Sequence, residues 1–190
     1  MQIKKKEVSI HGKTIVLRSP EKKDAQTFTD IRKITYEETY FLARYPEENY
    51  MTPEIAKNMI ETTLQRKDEF LLGAFDGDKM IGCVIVANDG SHIKFRHKAE
   101  IGIFILQEYC GMGLGRIMME QAIQAAKTTG LEQLNLGVFD DNMGAIHLYQ
   151  QLGFKEWGRE PHAFKLKDGT YRDEIQMVLF LTKDTFEEKG

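Results

Sequence analysis

The stretch from Ala99 to Thr128 constrains this chain more than any other. An apolar strand, Ile101 to Leu106, runs into the turn Cys110-Gly111-Met112-Gly113-Leu114-Gly115, and an amphipathic helix opens at Arg116. Glycines at alternate positions let the main chain turn tightly and leave bare amides aimed along the axis of the following helix. Such a helix start attracts phosphate. Two familiar phosphate loops do not fit. A P-loop requires Gly-Lys-Ser/Thr at the end of the run, and Gly115 is followed by Arg116 and Ile117. A dinucleotide fingerprint requires a glycine where Arg116 stands and belongs to the first strand of its domain. A plain tight connection is the other reading of the same residues.

The flanking sequence predicts alternating small hairpins and helices. Glu7 to Ile10 and Lys13 to Arg18 read as strands around His11-Gly12, and Ser19-Pro20-Glu21 breaks the chain before a helix. That helix runs from Asp24 toward Tyr40 with Ala25, Phe28, Ile31 and Ile34 on one face. Thr52-Pro53-Glu54 opens a second helix carrying Ile55, Met59, Ile60 and Leu64. Glu69 to Phe75 and Met80 to Ala87 form a hairpin around Asp76-Gly77-Asp78, Asn88-Asp89-Gly90 turns again, and Ile93 to Leu106 is a third strand. After the glycine-turn helix, stopped by Gly130, come a strand over Leu131 to Phe139 and a short helix from Asn142 that Gly153 ends. Phe154 starts a further strand, and Lys167-Asp168-Gly169-Thr170 turns into the last, Tyr171 to Leu181. One domain is expected over residues 1–183, with a frayed tail at 184–190.

Composition narrows the partners. With 26 Lys plus Arg against 29 Asp plus Glu, the net charge is −3, and no basic excess points to nucleic acid. No run approaches the roughly 18 apolar residues of a membrane span, and no apolar run follows Lys4-Lys5-Lys6, so no membrane segment and no secretory leader are expected. The two cysteines, Cys83 and Cys110, suit a reducing compartment, and a cytoplasmic location is expected. The histidines are scattered, without metal-ligand spacing, so no metal is expected.

With these elements placed, the chain resembles the GNAT superfamily of acyl-coenzyme A dependent N-acetyltransferases over nearly its whole length. The resemblance rests on the strand AEIGIFIL with the turn CGMGLG, followed about thirty residues later by NMGAIHLYQQLGF. The second string carries the family's pattern at Asn142, Ala145, Leu148, Tyr149, Gly153 and Phe154. It implies an α/β (α+β) acyl-CoA N-acyltransferase fold, a mixed and mostly antiparallel twisted sheet of about seven strands with about four helices. It also implies acetyl-CoA as cosubstrate, its pyrophosphate held by the amides of Gly111, Met112, Gly113, Leu114, Gly115 and Arg116. The pantetheine arm would lie along Ile103, Phe104 and Ile105, where the strand splays from its neighbour, and Asn142 would be a cofactor contact as well as a helix cap. Cys110 stands where the family has Gln or Arg, a departure that bears on affinity.

The implied reaction is transfer of an acetyl group to a primary amine by direct attack in a ternary complex. An alkylamine with a pKa of about 10.4 is mostly protonated at neutral pH, so a base is required. Glu100, at the start of the strand, is the first candidate; its plainer role is an exposed strand residue. Tyr149 matches the family's tyrosine, which protonates the departing thiolate; a tyrosine on the inner face of a helix is otherwise core. Tyr36 to Tyr50 interleaves aromatic rings with Glu37, Glu38, Glu47 and Glu48, a composition able to hold a cationic amine by cation–π contact and ion pairing. Tyr36, Glu37, Glu38 and, in the last hairpin, Asp173 are therefore the candidate substrate residues. The expected acceptor is a small molecule such as a polyamine, an amino acid or an aminoglycoside-like amine, and a homodimer through an edge strand is possible. Two other readings stay open, an acyl-CoA sensor without turnover and acetylation of a peptide amine.

Overall fold

Runs of alternating burial build one sheet. The computed structural model describes residues 1–88 and 92–182; Asp89 and Gly90 of the expected turn, and the tail from Lys183, lie outside the described residues. The strands are β1 (Lys6–Ile10), β2 (Lys13–Arg18), β3 (Phe70–Asp76), β4 (Lys79–Ala87), β5 (Lys98–Ile105), β6 (Gln133–Phe139), β7 (Lys155–Lys165) and β8 (Tyr171–Phe180). They lie in the order β1-β2-β3-β4-β5-β6-β8-β7. Each of these eight overlaps a strand read from the sequence, against the count of about seven that the resemblance implies. The two edge strands, β1 and β7, are mostly exposed. The strand expected from Ile93 begins at Lys98: Ile93–Phe95 forms a single turn of 3-10 helix, with Ile93 exposed to water.

Among the described residues the four α-helices are α1 (Ala25–Glu38), α2 (Pro53–Gln65), α3 (Leu114–Ala126) and α4 (Met143–Gln151). Thr52 caps α2 by accepting the Ile55 N–H at 3.3 Å, ahead of Pro53, as the sequence predicts. The helices take both faces of the sheet. Phe104 of β5 meets Phe28 of α1 edge-on at 6.2 Å. Its neighbour Ile105 points the other way, toward α3, beside the site where Gly82 faces Met118. The core is continuous through both layers, with Phe28, Phe70, Phe75, Leu72, Met118 and Leu134 essentially fully buried.

Among the described residues every strand pairing is antiparallel except one. β5 and β6 run parallel, joined by the α3 crossover, and they pair only at Lys98–Gln133, Ala99–Leu134 and Glu100–Asn135. Beyond Glu100, β5 stays with β4 as far as Ile105, and β6 stays with β8 as far as Phe139. The sheet is therefore forked at its centre.

Candidate active site

The fork leaves main-chain groups without a strand partner. The Leu106 N–H donates to the Ile81 carbonyl at 3.0 Å. By the two-residue alternation of a strand, Gly102 and Phe104 also turn their main-chain groups to β4, whereas Ile103 and Ile105 turn theirs into the open fork. Of the three residues expected along an extended ligand, Ile103 and Ile105 are thus available, and Phe104 is committed to β4.

At the end of β5 the chain makes one 3-10 turn, Gln107–Tyr109, and enters the glycine segment. Gly111 and Gly113 have φ of 74° and 82°, conformations that an L side chain rarely adopts, and a Cβ at either would meet nothing within 4 Å. These positions are glycine for their backbone conformation and not for lack of room. Gly113 is the N-cap of α3, whose first hydrogen bond runs from the Ile117 N–H to the Gly113 carbonyl at 3.2 Å. The amides from Gly111 to Arg116 consequently form a run of donors at a helix start with no internal acceptor, the donor set that suits a pyrophosphate. Gly115 seats this helix closely: a Cβ there would lie 3.4 Å from Ile105 and 3.6 Å from Leu148 of α4. The Arg116 guanidinium reaches Gln151 at the end of α4.

Cys110 precedes this loop, its Sγ 3.6 Å from the Leu106 carbonyl and 3.9 Å from that of Ile105. Burial of the thiol, with help from the Glu38 carboxylate, pushes its pKa up. That is the opposite of what a helix-start nucleophile requires. Cys83 is fully enclosed in the core, and its thiol is pushed up to about 12 by burial.

On α4, Asn142 accepts the Ala145 N–H at 3.3 Å and so caps the helix. Tyr149 is 8% exposed, its ring 5.9 Å from that of Phe154. Its hydroxyl makes no hydrogen bond among the described residues. Burial raises its pKa to about 12, so it holds its proton throughout the neutral range.

Glu100, exposed at the closed end of the fork, shares the α1 face of the sheet with Gly102, Asn135 and Gly137. The other predicted substrate residues are dispersed. Tyr36 is buried against Arg32, which donates to its hydroxyl. Glu38 accepts the Gln107 N–H at 2.9 Å and so ties the end of α1 to the glycine turn. Glu37 faces outward, into a groove with Asp30, Lys33 and Lys79. Asp173 accepts the His162 N–H at 2.9 Å, where β7 is irregular, and its position on β8 puts it on the α3 face, opposite Glu100. The rings of Tyr45 and Tyr50 already face cations of the chain itself, Lys167 at 4.3 Å and Arg44 at 4.4 Å.

Three features escaped the sequence reading. Phe139 and Phe164 stack at 3.8 Å, and Tyr40 and Phe41 pack edgewise on Phe139, making an aromatic wall beside the β6 arm of the fork. The Lys167 N–H donates to the Tyr45 hydroxyl at 2.9 Å, so the segment after α1 is latched to the β7–β8 turn. Glu174 is half-buried on β8, with its carboxylate lying over Gly137. The lone signal for the last was a glycine, Gly137, in the middle of an apolar strand.

A sheet forked between two parallel strands, with a bare-amide turn between the first strand and its helix, is an arrangement that suits an extended, pyrophosphate-bearing molecule. The chain belongs to the acetyltransferase (GNAT) family, whose model matches residues 28–154. A structure of a GNAT-family acetyltransferase from Streptococcus pneumoniae superposes with a TM-score of 0.84 at 28% identity, covering 87% of this chain and 99% of that one. The yncA structure from Salmonella typhimurium, solved with its cofactor acetyl-CoA, gives 0.79 at 20% identity, with 93% and 99% covered, a likeness of fold. Among curated proteins, the L-amino acid N-acyltransferase MnaT of Escherichia coli is 31% identical over 91 residues, 48% of this chain and 52% of that protein. The spermidine N(1)-acetyltransferase of Escherichia coli is 38% identical over 84 residues, 44% and 45% of the two chains. The chain thus spans about half the length of these curated relatives.

Proposed function

We propose that the protein moves an acetyl group from acetyl-CoA to a primary amine of a small molecule, by direct attack in a ternary complex. The observation that carries this reading is the fork: strand pairing ends at Glu100–Asn135, and β5 runs on without β6 toward the bare-amide turn that heads α3. Bound acetyl-CoA would supply the activated acetyl group. The amides of Gly111 to Arg116 suit its pyrophosphate, and the free main-chain groups of Ile103 and Ile105 suit its extended arm. The Ile105 N–H is also a fixed dipole able to hold negative charge on a carbonyl oxygen. Tyr149, protonated at neutral pH, has a proton to give to a departing thiolate. The acceptor ammonium must lose a proton, and the α1 face offers two carboxylates at the fork, Glu100 and Glu174.

A polyamine or an amino acid is the acceptor class favoured by the named substrates of the curated relatives. The two unpaired cysteines agree with a cytoplasmic enzyme. Among the described residues no helix is long and apolar enough to cross a membrane. The test is thiol release from acetyl-CoA across a panel of polyamines, amino acids, aminoglycosides and a short peptide. Turnover with at least one small amine, reduced in Tyr149→Phe, is expected. Binding of acetyl-CoA without thiol release from any acceptor would replace this reading with that of a sensor, and turnover of the peptide alone would move the acceptor to protein amines.

A further inference from the structure

We propose that Glu174 is the carboxylate that takes the proton from the acceptor ammonium, acting at a window in the sheet made by Gly102 and Gly137. The inference rests on the transferase reading above.

Two residues beyond the last β5–β6 pair, Glu100–Asn135, the next positions on the same face are Gly102 and Gly137. Neither strand therefore puts a side chain into the fork at that level. Gly102 is exposed, and a Cβ there would meet nothing within 4 Å. At Gly137 the space is filled from β8: a Cβ would fall 2.1 Å from Glu174 Oε1 and 2.5 Å from its Cδ. The φ of Gly137 is not in the left-handed region, so what this site requires is the missing Cβ. An amine approaching from the α1 face can reach the open main-chain groups of Ile103 and Ile105 past these glycines, and the carboxylate overhanging that passage is Glu174.

The surroundings suit a proton acceptor. Glu174 forms no ion pair among the described residues and accepts a hydrogen bond from Gln176 on its own strand. On this face β6 contributes Gln133, Asn135, Gly137 and Phe139, none of which titrates; β7 contributes Glu160, in register with Glu174; β5 contributes Glu100. Burial raises the Glu174 pKa above the ordinary carboxylate range, as do the charges of Glu160 and Glu100, while the Gln176 bond opposes. A raised pKa narrows the gap to the ammonium it must deprotonate. Exposed Glu100, across the fork, is left to attract the cation. In the step itself an N–H bond of the ammonium breaks, its electron pair stays on nitrogen, and an O–H bond forms on Glu174.

The test combines kinetics with a direct titration. In Glu174→Gln, kcat with the best amine should fall about 10²-fold or more, within the usual range for general-base catalysis, with little change in KM, and the acidic limb of the pH profile should disappear. Glu100→Gln should instead raise KM and keep that limb. In wild-type protein without acetyl-CoA, carbon-13 NMR of the Glu174 carboxyl should give a midpoint above the ordinary range. Gly137→Ala, which must push the flexible carboxylate outward, should lower that midpoint and kcat together. If Glu174→Gln keeps kcat and the acidic limb while Glu100→Gln loses both, or if the carboxyl titrates as an ordinary glutamate, the proposal is wrong. A wild type that turns over no amine would overturn the transferase reading as well; turnover unaffected by Glu174→Gln overturns this inference alone.

Discussion

Gly113→Ala and Gly144→Ala make the same chemical change and should move stability in opposite directions. Gly113 sits at φ 82°, and a Cβ there would meet nothing within 4 Å, so the substitution adds backbone strain and no clash. A left-handed conformation costs an L residue about 1–2 kcal/mol, and the smaller entropy of unfolded Ala returns about 0.4–1 kcal/mol, leaving a net loss of about 1 kcal/mol. Gly144 is exposed in the first turn of α4, has no positive φ, and also has nothing within 4 Å of a Cβ. There the entropy effect stands alone and stabilises by about 0.5 kcal/mol. The gap of about 1.5 kcal/mol corresponds to about 3–6 °C in Tm for a chain of this size. Scanning calorimetry of the two variants and wild type measures it. Calorimetric titration with acetyl-CoA should show Gly113→Ala about tenfold weaker, the equivalent of one re-aimed main-chain hydrogen bond, and Gly144→Ala unchanged. If Gly113→Ala melts at or above Gly144→Ala, the turn is not held at positive φ and the argument for its aimed amides fails.

Tyr149→Phe should lower kcat about 10²-fold, as loss of a general acid does. Its Tm should hold or rise, because the hydroxyl makes no hydrogen bond among the described residues that the change would remove; a clear fall in Tm would mean a structural partner for the phenol. In the wild type, ionising this tyrosine should drain stability as pH rises from about 10 toward 12, since the folded state keeps the proton that the unfolded state releases. Asp24 is buried and bonded to Arg18 at 2.6 and 3.0 Å and to the Glu21 N–H at 2.7 Å. Asp24→Ala should cost about 3 kcal/mol by denaturant titration, and a loss under about 1 kcal/mol would show the pair to be unimportant. Burial alone would raise the Asp24 pKa, but Arg18 and the Glu21 amide bring it below the ordinary value. Its contribution is present above about pH 4 and lost as the pH falls through the depressed value. Finally, a thiol reagent at about pH 7 should modify Cys110 alone, more slowly than a free cysteine, and leave Cys83 untouched in the folded protein. Rapid modification of Cys110 would contradict its raised pKa.

Local chemistry made much of the fold legible. The glycine turn, the apolar stripe of α3, the Asn142 cap and the hairpin turns act over a few residues, so their spacing is enough to read them. The segment before β5 was misread, because Ile93 and Phe95 alternate as apolar residues of a strand do, yet sit exposed on a single 3-10 turn. The candidate site divides in the same way. Donors supplied by one continuous turn were readable, and so was Glu100 at the fork, but the Glu174 carboxylate over Gly137 was not. Glu37 and Glu38 are adjacent in sequence, yet a helix sends one outward and the other to the Gln107 amide. Asp173 and Glu174 are adjacent too, and the pleat of β8 puts them on opposite faces.

By itself, then, the sequence marked the glycine turn and its loop of amides, since backbone conformation at a glycine turn depends on near neighbours, and its resemblance to a family implied the α/β frame around them. Only the tertiary structure decided that Gly102, Gly137 and Glu174, up to 72 positions apart in the chain, stand on one face of the sheet beside the fork. That placement depends on strand order and register, which arise from long-range pairing of β5, β6 and β8 and leave no mark in the spacing of the residues concerned.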